Sequence, residues 1–492
     1  MNLHRRTLLS AAGPVALGGL LAGCFTSSES DGTDRLRIAM AGSPNAGLSP
    51  HSEDAFKLIR WSVTETLLDL DDQALPVASL AVEWTRSAEN AWELTLREGV
   101  LFHDGSALDA EAAAACLNAA AAAAAVPRVI DGVGLTAEAT GDLTLAVATA
   151  EPDPVLPQRL SSPQLGILSP DAYSGANIDP VGHATGPFQI TESTGTGATL
   201  ERFEDYWGEA AALDGFAADY VPDAATRVAA LRSGEADVIE AVPYAQVTAL
   251  DEALLQDAPT IRTASLYLNT DTGPLAETGL RAAAAAAIDP APIVDDIYEG
   301  RADAPEGLFG PAMAWAADHR DYELPEAGTP DGQTLRVASY TNRAELPEAL
   351  TVIASQLEAA GFEVETDVRD YTDIEPDMLA GEFDAFLMSR SVVQDSGDAY
   401  TYLESDFTSE GGFNVSRLAD SAVDETVGAV ADLTDTEERR AAILDAEAAI
   451  LATAAVVPVA HERLITGVSE RVSGVAADPR ELRVITAETS LD

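Results

Sequence analysis

The sequence predicts a mixed α/β fold built from more than one unit, and three observations carry that reading. Leu346, Leu350, Ile353 and Leu357 recur at helical spacing, Gly361 closes the segment, and Phe362, Val364, Thr366 and Val368 then alternate, so a helix feeds a strand. Residues 92–117, WELTLREGVLFHDGSALDAEAAAACL, read as strand, turn, short strand, turn and helix, with Asp109 as the N-cap. A chain of 492 residues exceeds one ordinary domain, and 47% hydrophobic against 22% charged residues supports packed cores rather than disorder.

Asp and Glu number 82 against 28 Lys and Arg, a net charge of −54 at pH 7. The acids are spread along the chain, which describes a solvated anionic surface and disfavours nucleic acid as a partner, since phosphate is repelled. The same bias suits a salt-tolerant or a high-GC organism. Six isolated histidines and two cysteines offer little for a metal site, so neither metal nor cofactor is expected. Cys116, within an Ala-rich helix, reads as a small buried side chain.

Residues 1–24 read as an address. Arg5 and Arg6 precede an apolar run over 8–22 that is too short and Gly-rich to span a membrane, and Leu21-Ala22-Gly23-Cys24 closes it. The first part resembles a twin-arginine export signal and L-A-G-C resembles a bacterial lipobox, which implies cleavage before Cys24 and lipid on that residue. Residues 25–34 form a polar linker. The expectation is a body anchored by lipid to the outer face of the cell membrane.

In the mature chain 36–40 starts as a strand, followed in order by Leu48-Ser49-Pro50-His51, WSVTETLLDL (61–70), PVASLAVEW (76–84) and the long stretch 92–117. An Ala run over 110–125 has high helix propensity, and Pro127 is expected to end it. Further on come GHATGPFQI (182–190), whose glycines permit close approach of backbones, ERFEDYWG (201–208), PDAATRVAALRSGEADVIE (222–240), LYLNT (266–270), a helix at 281–287, a strand at 383–387, an amphipathic helix at 439–451 and VVPV (456–459). The set, gap-free over 92–117 and in order over roughly 36–480, resembles the family 5 solute-binding proteins, receptors that feed ABC importers for peptides, dipeptides and nickel complexes.

The resemblance implies a two-lobed periplasmic-binding-protein-like α/β fold with an extra subdomain in the first lobe and the ligand cleft between lobes. Lobe one would gather 34–64, 181–266 and 470–492, the extra subdomain 65–180, and lobe two 267–469. The segment RSVVQDSGDAYTYL (390–403) leaves a strand and carries two acids, a Gly and two tyrosines, the mix of a loop that holds a ligand's polar group under aromatic cover. It resembles the dipeptide branch, which implies Asp398 as the acid pairing a peptide's ammonium, Asp395 as its neighbour, and Tyr400 and Tyr402 lining the pocket. Arg390 and Arg128 are candidates for a ligand carboxylate, each with a plain surface role as the alternative.

The function implied is a non-enzymatic, lipid-anchored, monomeric substrate-binding protein that closes over a short peptide or similar zwitterion and delivers it to ABC permease subunits. Recognition of nickel or another metal carried by a small chelator is the alternative, although no His lies within 390–403. A secreted hydrolase is the remote one: no G-x-S-x-G elbow occurs, while counting acids leaves a carboxylate-pair mechanism open.

Overall fold

The two longest strands, Leu255–Leu268 and Val456–Val468, run antiparallel to each other. Their ladder shifts register between Pro259 and Thr263 and again between Ala264 and Ser265, the latter facing Pro458; proline lacks the N–H that a regular ladder needs. A computed structural model describes residues 35–175, 177–317, 321–393 and 396–492. Within it a ten-stranded sheet extends from this central pair in both directions. One arm adds Ala385–Ser391, Thr334–Tyr340 and Glu363–Arg369; the other adds Val238–Ile239, Leu36–Met40, Gly215–Tyr220, Gly197–Arg202 and Phe188–Ser193.

The first arm carries the predicted helix–strand unit. Glu345–Ala359 buries Leu346, Ala349, Leu350, Ile353 and Leu357, and Gly361, at φ +105°, turns the chain into Glu363–Arg369, which lies parallel to Thr334–Tyr340. A separate four-stranded sheet, in the order Ala81–Ala88, Ala91–Leu96, Thr144–Ala148 and Thr136–Ala139, is covered by the helix Ala110–Ala121. Buried apolar residues form three clusters, one drawn from 67–167, one joining 36–63 and 168–238 to 472–485, and the largest drawn mainly from 228–465.

Part of the acidic bias has a local use. Asp109, Asp223, Asp370, Asp398, Asp420 and Asp435 each cap a helix by accepting from an N–H of its first turn. Two local expectations change. Residues 100–102 form no strand, only a single bridge between Leu101 and Ala107. The alanine helix stops at Ala121, well before Pro127, because the next four alanines are largely exposed and propensity without a buried face does not sustain a helix. The leader, the linker and Cys24 lie outside the described residues, and among the described residues no helix is long and apolar enough to cross a membrane.

Candidate functional site

The chain leaves the carboxyl end of Ala385–Ser391, turns through Gly397 at φ +70°, and enters the helix Ala399–Phe407 at Asp398. The Asp398 carboxylate accepts from the Tyr400 N–H at 3.0 Å. Arg439, from the helix Thr436–Ala452, reaches it with two parallel bonds, Nε to Oδ2 at 3.0 Å and Nη2 to Oδ1 at 2.8 Å. The remaining guanidinium nitrogen donates to the carbonyls of Val430 at 2.8 Å and Leu433 at 3.1 Å. The two side chains are 92% and 91% covered, so this is a desolvated, charge-assisted pair with both partners satisfied.

A cavity of about 70 Å³ lies against this pair. One wall comes from residues 73–75 and from Pro154, Val155 and Gln158, the other from Met313, Trp315, Val393, residues 397–399 and residues of 433–443, so two distant parts of the chain face each other across it. The walls touch: Arg440 donates to the side-chain and backbone oxygens of Gln73 at 3.2 and 2.9 Å. A narrower crevice continues past Trp315 towards Ile261 and Arg480. The loop that brings Met313 and Trp315 to the wall is fixed from behind, because the buried Glu447 accepts from the N–H groups of Leu308 and Phe309. Next to it Gly310 packs against the His461 ring, with no room for a Cβ. A wider hollow of about 1030 Å³ opens near His51, Asp179 and His183, with further walls from Asn45, Ala123, Asp171 and Asn177.

Of the residues expected at the site, Asp398 lines the cavity. Tyr400, Tyr402, Arg390 and Arg128 are not among its lining residues. Tyr402 is buried, with its hydroxyl 3.0 Å from that of Tyr267 and its ring edge-on to Phe407. Arg390 spends its fork on Asp406 in two bonds of 2.7 Å and lies over Phe413; burial pulls its pKa down, but the Asp406 carboxylate more than restores it. These two polar groups therefore tie the strand Ala385–Ser391 to the helix that follows. Tyr400 donates to Glu404 at 2.6 Å, with Arg439 over its ring. Arg128 is exposed at the start of a short turn, Arg128–Ile130. Asp395 lies outside the described residues. Sequence reading missed Arg439, Arg440, Gln73 and Trp315; the signal was the Arg-Arg pair one turn into an acid-capped helix.

A Ser, a His and an Asp do meet elsewhere: Ser169 Oγ is 2.6 Å from Asp104 Oδ2 and 2.9 Å from His183 Nδ1. The same Nδ1 faces Asp104 at 3.2 Å. A relay needs the acid and the nucleophile on opposite ring nitrogens, so this cluster fastens the His103-Asp104 turn to the segment 169–183 instead. No group of three or more His, Cys, Asp or Glu among the described residues could hold a metal ion.

Residues 76–414 match the model of the bacterial extracellular solute-binding proteins, family 5, middle region. The chain belongs to that family. As a family 5 protein it is a substrate-binding protein of the ABC-importer type. It is 25% identical over 437 residues to a nickel-binding protein of Staphylococcus aureus, covering 85% of this chain and 86% of the relative. It is 24% identical over 502 residues to a glutathione-binding protein of Escherichia coli, covering 94% and 95%. Among solved structures, the nickel ABC transporter protein of Bacillus halodurans superposes with a TM-score of 0.77 at 26% identity, over 93% of this chain and 99% of that one. A Helicobacter pylori periplasmic binding protein solved with the peptide STSA gives 0.74 at 21% identity over 93% and 98%, a likeness of fold. The fold is the two-lobed one of periplasmic binding proteins.

Proposed function

We propose that this family 5 protein is the lipid-anchored, extracytoplasmic receptor of an ABC importer, and that it takes a short peptide or similar zwitterion into the cavity beside Asp398 by closure of its lobes. The observation that carries this is a cavity with Gln73, Leu75 and Gln158 on one wall and Trp315, Asp398 and Arg440 on the other, the two walls meeting where Arg440 donates to Gln73. A hollow of about 70 Å³ holds a few waters rather than a peptide, so entry requires the walls to separate. A ligand that binds the closed form better then shifts the population towards it. Partners are the permease subunits on one side and lipid, through Cys24, on the other; the receptor acts as a monomer after export by a twin-arginine route.

A metal held by a small chelator is the second reading. It is supported by the names of the nickel-binding relative and the Bacillus halodurans structure, and it needs no metal ligand from the protein, because arginine recognises the chelator's carboxylates. Mass spectrometry of the solute that co-purifies, followed by thermal-shift titration of stripped protein with di- and oligopeptides and with nickel–histidine, separates the readings. Peptides recovered intact with a raised Tm support the first; a shift with the chelate alone supports the second. Turnover of the peptide would sink both. Cys24→Ser should move the protein from the membrane to the soluble fraction.

A further inference from the structure

Arg440 directly follows Arg439, yet its partners are of another kind. Arg439 faces a carboxylate, whereas Arg440 donates only to neutral oxygens: Nη1 to Gln73 Oε1 at 3.2 Å and Nη2 to the Gln73 carbonyl at 2.9 Å. Its guanidinium lies over the Trp315 ring, 5.2 Å from the centroid. All three residues stand on the cavity wall. No carboxylate among the described residues pairs with this guanidinium, in a chain that carries 82 acidic side chains.

A guanidinium offers five N–H donors in a planar fork, and two amide oxygens are a weaker match for it than the two oxygens of one carboxylate. The tryptophan face keeps the cation in place and shields one side from water. A solute carboxylate nearing a protein of this net charge is repelled by the surrounding field, so its capture needs a cation that is not already neutralised. Asp398 is already neutralised by Arg439, which leaves Arg440 as the charged group on this wall with unmet pairing capacity.

We propose that Arg440, backed by Trp315, binds a carboxylate of the transported solute, and that the two Gln73 oxygens hold its place when no ligand is present. The inference rests on the cavity being the solute site, and it assigns the ligand an anionic group, such as the free carboxyl terminus of a peptide.

The test uses the full chain stripped of co-purified solute, with isothermal titration of a mixed dipeptide library and of the same library as C-terminal amides. Wild type should bind the acids at least tenfold more tightly than the amides. Arg440→Gln should weaken acid binding at least tenfold and erase that preference, while Arg440→Lys keeps part of it, with the Tm of both variants near wild type. An unchanged acid-to-amide ratio in Arg440→Gln would overturn the inference and leave the receptor reading standing, since Arg440 would then be only a latch on Gln73. Equal binding of acids and amides by wild type would overturn it too. Binding of neither library by wild type would sink the peptide reading itself, and this inference with it.

Discussion

Asp398 and Arg439 are locked together by two parallel hydrogen bonds of 3.0 and 2.8 Å, inside a shell that leaves each less than a tenth exposed. Removing one partner strands the other charge in a poorly solvated place, which typically costs about 3–5 kcal/mol. Asp398→Ala also loses the helix cap on Tyr400. Arg439→Ala and Asp398→Ala should therefore each lower the urea midpoint markedly, and the double variant should cost less than the sum of the two. Additive losses would show that the pair is not coupled. Loss of ligand binding in Asp398→Ala alone does not identify a ligand contact, because the fold is weakened as well.

Gly186 sits where the backbone N–H bonds to the Val63 carbonyl at 2.9 Å. A Cβ there would overlap the carbonyl oxygens of Ser62 and Val63, both backbone atoms that cannot rotate away. Gly186→Ala should destabilise the protein by about 1–3 kcal/mol, the usual range for overpacking, read as a drop in Tm. A variant as stable as wild type would mean that the 62–63 segment yields freely.

Features that depend on neighbours in sequence were legible without a structure. Asp109 as a cap, the glycine-rich 182–188 segment and the helix-to-strand passage at Gly361 each involve contacts within a few residues or a fixed backbone demand. The site was less so, for a physical reason. Arg439 lies 41 positions from Asp398, and Arg440 lies 367 from Gln73, so each pairing exists only once the fold has brought its partners together. Tyr400 and Tyr402 show the same limit at short range. Two residues apart on a helix they point to different sides, and composition alone could not say that Tyr402 turns inward to Tyr267 while Tyr400 faces Arg439 and Glu404.

Acid should weaken the protein in two separate windows. Burial pulls the His103 pKa from 6.5 down to about 4, outweighing its bond to the Gly186 carbonyl, and its Nδ1 has no partner. Between those values the unfolded chain takes up a proton that the folded one refuses, so stability falls as pH drops from about 6.5 to about 4. Asp104 behaves in the carboxylate sense. Burial raises its pKa, but hydrogen bonds from Ser106, Ser169 and His183 win and hold it at about 2, so its contribution is present above 3.8 and is lost as pH falls towards 2. Urea midpoints measured across this range should show the first decline in wild type and a flatter profile in His103→Gln. An identical slope in both would assign the first window to another group.

Gly397 tests closure without touching a ligand. At φ +70° it turns the chain into Asp398, and a Cβ on it would stand 2.6 Å from Leu70 Cδ1 and 3.2 Å from Gln158 Cβ, both on the facing side of the cleft. The substitution Gly397→Ala therefore penalises the closed arrangement more than an open one, and the left-handed backbone adds about 1 kcal/mol of strain to both. Since ligand affinity is scaled by the fraction of protein able to close, a penalty of about 1.4 kcal/mol weakens binding tenfold. At the ligand concentration that half-saturates wild type, small-angle scattering should show a larger radius of gyration in the variant, and the two should converge at saturation. Adding Leu70→Ala gives the methyl its space back but leaves the backbone strain, so recovered affinity in the double variant would place the effect in the contact between walls. Wild-type affinity in Gly397→Ala would mean that the lobes do not need this contact to close over their solute.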